Sequence, residues 1–164
     1  QAIDRFNETI RVKPDYAEAY KNRGNAYYAL EQYQMSIKDY DKTIRMKPDF
    51  DEAYINRGNA YLMLEQYQSA LEDYNKAINP KSNYARVYKD RGIVHYRLGN
   101  YHPAIDDFNK AVELEPGYAD AFGMRGVVYL FQNNEERGCR DLQKACTLGK
   151  CRLLEKARNE KYCR

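Results

Sequence analysis

Gly24, Gly58, Gly92 and Gly126 stand 34 residues apart, and this period limits the fold more than any other feature of the chain. An aromatic residue lies four places before each glycine, at Tyr20, Tyr54, Tyr88 and Phe122. Arg23, Arg57, Arg91 and Arg125 sit just before the glycines, and Tyr27, Tyr61, His95 and Tyr129 three places after them. Later columns hold small residues (Ser36, Ala70, Ala104, Gly138), then Tyr40, Tyr74, Phe108 and Leu142, then Thr43, Ala77, Ala111 and Ala145. Pro48 and Pro116 close the first and third units, while Pro80 comes two places early in the second. So short a unit cannot bury its own apolar face, so the repeats must stack.

Within a unit the spacing is helical twice over. Tyr20, Gly24, Tyr27 and Leu30 mark one stripe, and Tyr33, Ile37, Tyr40 and Ile44 a second. Glu31-Gln32 or Gly99-Asn100 breaks the pattern between them, and Pro103 suits the first turn of a second helix. A proline after the second stripe disfavours further helix. Each unit is therefore expected to be an antiparallel helix pair. The glycine and small-residue columns are expected to bring its two backbones close.

These columns resemble the tetratricopeptide repeat (TPR) signature, over essentially all of residues 15–150. The resemblance implies an all-α, right-handed α-solenoid. Its repeats would span 15–48, 49–82, 83–116 and a divergent 117–150, where Gln132 to Glu136 replaces the usual turn and Lys150 the expected proline. Residues 151–164 are expected to form a capping helix. Residues 1–14 read as the second helix of a preceding repeat; Ala2-Ile3-Asp4-Arg5-Phe6 is amphipathic and unlike a secretory leader. A longer parent chain is thus expected, and a cut edge there would favour self-association.

The 27 basic and 24 acidic residues nearly cancel, which argues against a nucleic-acid coat. Apolar runs such as Val127 to Phe131 are far too short to span a membrane. His95 replaces a tyrosine and reads as a packed core residue; His102 lies at a helix start, facing solvent. No nucleophile triad, phosphate loop or paired histidines are present, so neither catalysis, nor a cofactor, nor a metal is expected. Cys139, Cys146, Cys151 and Cys163 fall within the last 26 residues. A terminal helical hairpin would match Cys146 with Cys151 and Cys139 with Cys163, although four cysteines permit three pairings. Disulfides, buried thiols and a zinc site stay open, zinc being poorest because no C-x-x-C occurs. Disulfides would place the chain in a periplasm or outside the cell, free thiols in the cytoplasm.

The resemblance further implies that first helices line a concave groove holding a protein or peptide partner. Carried over column by column, the first unit offers Glu18, Lys21, Asn22, Asn25 and Tyr28. The second offers Glu52, Ile55, Asn56, Asn59, Leu62 and Met63, and the third Arg86, Lys89, Asp90, Ile93, Tyr96 and Arg97. Asp120, Met124, Val127, Leu130 and Phe131 follow from the fourth. Asparagines can hold a peptide backbone whatever its side chains. Family members that clamp a terminal carboxylate would use Lys21, Asn25, Asn56, Arg86 and Asp90, but an acid at the last of these opposes that ligand. Each column arginine also precedes an aspartate by sixteen residues (Asp39, Asp73, Asp107, Asp141), which predicts ion pairs along the stack. The last fifteen residues carry six cations against two carboxylates, read as a solvated cap face.

Overall fold

A computed structural model of the chain describes residues 2–78 and 83–163. Among them are ten helices and no strand. They are α1 (Ala2–Val12), α2 (Ala17–Ala29), α3 (Tyr33–Met46), α4 (Asp51–Met63), α5 (Tyr67–Ala77), α6 (Ala85–Arg97), α7 (Tyr101–Leu114), α8 (Ala119–Phe131), α9 (Glu135–Thr147) and α10 (Arg152–Asn159). They fall into two compact units, Gln1–Pro80 and Lys81–Arg164. The early proline, Pro80, lies outside the described residues, as does Arg164 of the basic end.

In unit 1, α2 pairs with α3 and α4 with α5; α3 packs on α4, and α1 on α2. In unit 2, α6 pairs with α7 and α8 with α9; α7 packs on α8, and α10 on α9. Tyr40 and Tyr74 are the large buried side chains of unit 1; Phe108, Leu142, Val94 and Val128 fill unit 2.

The glycine column works differently from the expectation. A Cβ on Gly24, Gly58 or Gly92 would meet the ring of Tyr40, Tyr74 or Phe108 at 2.7, 2.9 and 2.8 Å. These glycines make room for an aromatic ring. In the last pair the nearest neighbour is backbone, a Cβ on Gly126 lying 2.9 Å from the Gly138 carbonyl oxygen. The turn at Gln132 to Glu136 also keeps the common form. Asn133 takes the left-handed conformation (φ 58°) that Glu31, Glu65 and Gly99 take in the other pairs. Asn134 then accepts a hydrogen bond from the Arg137 N–H at 3.2 Å and caps α9.

All four arginine–aspartate pairs form. Arg23 grips Asp39 with Nε and Nη2 at 2.7 and 2.6 Å; Arg57 grips Asp73 at 2.8 and 2.7 Å. Arg91 and Asp107, and Arg125 and Asp141, repeat the fork at 2.6 to 2.9 Å. All four aspartates are buried, and the arginine fork compensates each of them. In Arg23, Arg57 and Arg125 the remaining nitrogen reaches backward to the preceding second helix. Arg23 Nη1 donates to Asn7 and Arg125 Nη1 to Asn109, each at 2.7 Å, and Arg57 Nη1 to Asp41. Arg23 also faces the rings of Tyr20 and Tyr27, and Arg57 those of Tyr54 and Tyr61, at 5.5 to 5.9 Å. The guanidinium groups of Arg23, Arg57 and Arg125 thus fasten their own pair to the helix before it. The Asp73 hydrogen bonds, joined by Asp41, raise the Arg57 pKa above its ordinary value against the opposing effect of burial.

Candidate functional site

The first-helix face of unit 1 is largely occupied by its own bonds. Lys21 bridges Glu18 at 3.5 Å and Glu52 at 3.2 Å, and Lys47 reaches Glu18 at 3.4 Å. Both ammonium groups lie over the Phe50 ring, at 5.7 and 5.4 Å. Asn25 Oδ1 accepts from the Tyr40 hydroxyl at 2.8 Å and from Asn56 Nδ2 at 3.0 Å. Asn59 Oδ1 accepts from the Tyr74 hydroxyl at 2.7 Å. Burial raises the Tyr40 pKa, so the phenol stays protonated and donates. The carbonyl oxygens of Asn25 and Asn59, expected to hold a peptide backbone, are therefore already engaged within the fold. Asn22, Tyr28, Ile55 and Leu62 are half-buried on the same helices, and Met63 is exposed at the end of α4. Tyr28 packs edge-on against Tyr33 at 5.3 Å.

In unit 2 the same columns turn apolar. Ile93 and Val127 stand where unit 1 has Asn25 and Asn59, while Phe108 and Leu142 replace the two tyrosines. Ile93 and Met124 pack against the cluster of Ala104, Phe108 and Val128. An open cavity of about 670 Å³ results, lined by Lys89 and Ile93 of α6, Asp120 and Met124 of α8, and Arg152 and Leu153 of α10. Gly123 admits the Leu153 side chain, which a Cβ there would meet at 3.0 Å. A second cavity of about 350 Å³ lies beside it, among Tyr96, Leu130, Phe131, Leu153 and Tyr162. Phe131 is exposed at its rim and lies 5.5 Å from Tyr96 and 6.4 Å from Tyr101, centroid to centroid.

The clamp positions do not present a set of free donors. Lys21 and Asn25 are engaged as described, and Asp90 is buried beneath Lys89, which it bonds, with Arg86 Nε 3.7 Å away. Arg86 is exposed, as is Arg97. Two side chains escaped sequence reasoning here. Phe50 and Tyr118 open α4 and α8, in a 34-residue column with Tyr16 and Tyr84 that could have flagged them. Burial, reinforced by Asp90, pushes the Tyr118 pKa up to about 12.

The basic end is solvent-exposed, as expected of a cap face, and it also borders the larger cavity. Lys150, Arg152 and Lys156 line the larger cavity, because Leu154 and Ala157 bury against Leu142 and bring α10 down beside α8 and α9. The cysteines lie at disulfide distance in two pairs. Cys139 and Cys163 have sulfurs 1.99 Å apart and Cα atoms 5.4 Å apart; Cys146 and Cys151 have sulfurs 1.87 Å apart. They hold both ends of α10 to α9. His95 is half-buried, with Nδ1 buried without a hydrogen-bond partner and Nε2 4.0 Å from Asp107. No group of three or more metal-binding side chains exists among the described residues. Nor is any described helix long and apolar enough to cross a membrane.

Models of the tetratricopeptide repeat match residues 17–50, 52–114 and 89–145. The chain belongs to the tetratricopeptide repeat family. This TPR chain gives no significant match among curated protein sequences. Among solved structures it resembles MamA at 23% identity and a TM-score of 0.84, over 89% of this chain and 85% of that one. MamA 41-end from Desulfovibrio magneticus RS-1 aligns at 21% identity and a TM-score of 0.86, over 92% and 85% of the two chains. YrrB, described as a TPR protein with an unusual peptide-binding site, aligns at 22% identity and a TM-score of 0.56, over 96% and 100%. At such identities the likeness establishes the fold alone.

Proposed function

We propose that the chain is a non-catalytic protein-interaction scaffold that seats a peptide or protein segment along its first helices, chiefly in unit 2. The observation that carries this reading is the open, apolar-floored cavity of about 670 Å³ between α6, α8 and α10. A volume of that size suits several side chains of a partner. Its walls belong to packed helices, so the ordering cost falls mainly on the ligand. Membership of the TPR family and the likeness to YrrB support the same reading. A structural role, supporting a neighbouring domain, suits unit 1, whose lysines and asparagines are already engaged. The two cysteine pairs favour an oxidising compartment, a periplasm or the cell exterior.

The four methionines provide the test. Met63 reports the first-helix face of unit 1 and Met124 that of unit 2, whereas Met35 and Met46 lie on the second helix α3. Peptides selected from a random display library should shift the Met124 methyl resonance of the intact chain, leaving those of Met35 and Met46 in place. A library that yields no binder, or shifts confined to Met35 and Met46, would overturn the groove reading.

A further inference from the structure

We infer that the unit 2 cavity is built for an acidic segment carrying an aliphatic anchor, an inference that rests on the groove reading and names its ligand. Four cations line the cavity, Lys89, Lys150, Arg152 and Lys156, against one lining carboxylate, Asp120. That carboxylate pairs with Lys150 at 3.8 Å, and Lys156 pairs with Glu160 at 3.8 Å. In both pairs each side chain is more than half exposed, so solvent screens the attraction and an incoming carboxylate displaces it at little cost. Lys89 is committed to Asp90. Arg152 has no ion pair among the described residues. A cleft lined by one sign of charge over low-dielectric walls concentrates its field on an approaching ligand of opposite sign.

Below the cations lies an aliphatic floor of Ile93, Met124 and Leu153. Met124 adapts its shape to whatever lies against it. Nucleic acid is disfavoured, because single strands are held by stacking on aromatic rings and this cavity has none in its lining. The Cys146–Cys151 pair closes the turn that carries Lys150 and sets Arg152 at the start of α10. The ligand that matches both charge and floor is an extended peptide in which Leu or Ile is flanked by Asp and Glu.

The probe is a fluorescein-labelled peptide of Asp and Glu around two central leucines, titrated into the intact chain with anisotropy as the readout. The amide counterpart, with Asn and Gln in place of the acids, should bind at least about tenfold more weakly, as expected when several screened charge contacts are lost together. Arg152→Glu with Lys150→Glu, both at exposed positions, should weaken the acidic probe roughly tenfold and leave the amide peptide unchanged. Met124→Asp should abolish binding of both. If far-UV dichroism shows that variant unfolded, the Met124 methyl shift on adding the acidic probe to the unaltered chain replaces it. Equal affinity for the two peptides would overturn the inference. So would equal competition by an RNA oligomer of matching charge, or by phosphatidylcholine vesicles containing phosphatidylserine. If display selection returns groove binders without acidic residues, this inference fails and the groove reading stands; if it returns none, both fail.

Discussion

Units 1 and 2 are written in the same columns yet present opposite surfaces. In unit 1, Asn25 and Asn59 accept hydrogen bonds from Tyr40 and Tyr74, and Lys21, Glu18, Glu52 and Lys47 neutralise one another over Phe50. In unit 2, Ile93 and Val127 stand with Phe108 and Leu142, and no hydroxyl requires an acceptor. Exchanging a hydrogen-bonded pair for an apolar one preserves the packing between helices and changes what the first-helix face offers to another molecule. A shared backbone plan thus leaves recognition to a few paired columns.

The largest expected effect contrasts the arginines. Arg57 holds two carboxylates, Asp73 and Asp41, whereas Arg125 holds Asp141 and the neutral Asn109. Arg57→Leu leaves two facing acids, one of them buried, and should lower unfolding free energy by about 4 kcal/mol; Arg125→Leu should cost about 3 kcal/mol. Urea unfolding of the two variants checks the order, and equal losses would mean that Asp41 adds nothing.

Next comes the cross-link that unit 1 lacks. The Cys139–Cys163 bond spans a sequence separation of 24, and restricting the unfolded chain over such a loop is worth about 3 kcal/mol in the chain-entropy view. Cys139→Ser with Cys163→Ser should lose about that much by denaturant unfolding. It should also expose the backbone amides of α10 to hydrogen exchange ahead of those of α9. An unchanged midpoint would show that the Cys146–Cys151 bond and the packing of Leu154 and Ala157 suffice to hold α10.

Much of this was legible in the sequence, and the rest was hidden for identifiable reasons. The helix pairs and the forward arginine–aspartate forks follow from period and spacing alone. The backward contacts to Asn7, Asp41 and Asn109 also had a signal, sixteen residues before each arginine in a 34-residue column of Asn and Asp, but that column escaped sequence reasoning because its partner lies on the neighbouring pair. The Asn25–Tyr40 bond did leave a signal: asparagine and tyrosine vanish together in the third and fourth repeats. The basic rim was hidden because α10 is only eight residues long, and its docking face is chosen by Leu154, Ala157 and the cysteine bonds rather than by a repeat column.

That co-occurrence predicts a smaller, coupled effect. Tyr74→Phe leaves the Asn59 amide oxygen without its donor and should cost about 1 kcal/mol. Adding Asn59→Ile installs the unit 2 pair and should restore most of the loss, because removing both partners leaves no unmet group. Simple additivity of the two substitutions in thermal unfolding would break the proposed equivalence of the columns.

The smallest expected effect is a dependence on pH at His95, the one departure from tyrosine in its column. Burial disfavours the imidazolium; Asp107 opposes this, and Arg91 adds to it, so the pKa falls below the ordinary histidine value. The unfolded chain takes up this proton as pH drops through about 6.5, while the folded chain still resists it. Unfolding then binds more protons, and stability falls with pH over that window until the folded imidazole is also charged. His95→Tyr restores the ring that Tyr27, Tyr61 and Tyr129 supply and removes the titrating group. Its melting temperature should decline less between neutral pH and mildly acidic pH than that of the unaltered chain. Parallel declines would show that His95 does not set the acid sensitivity.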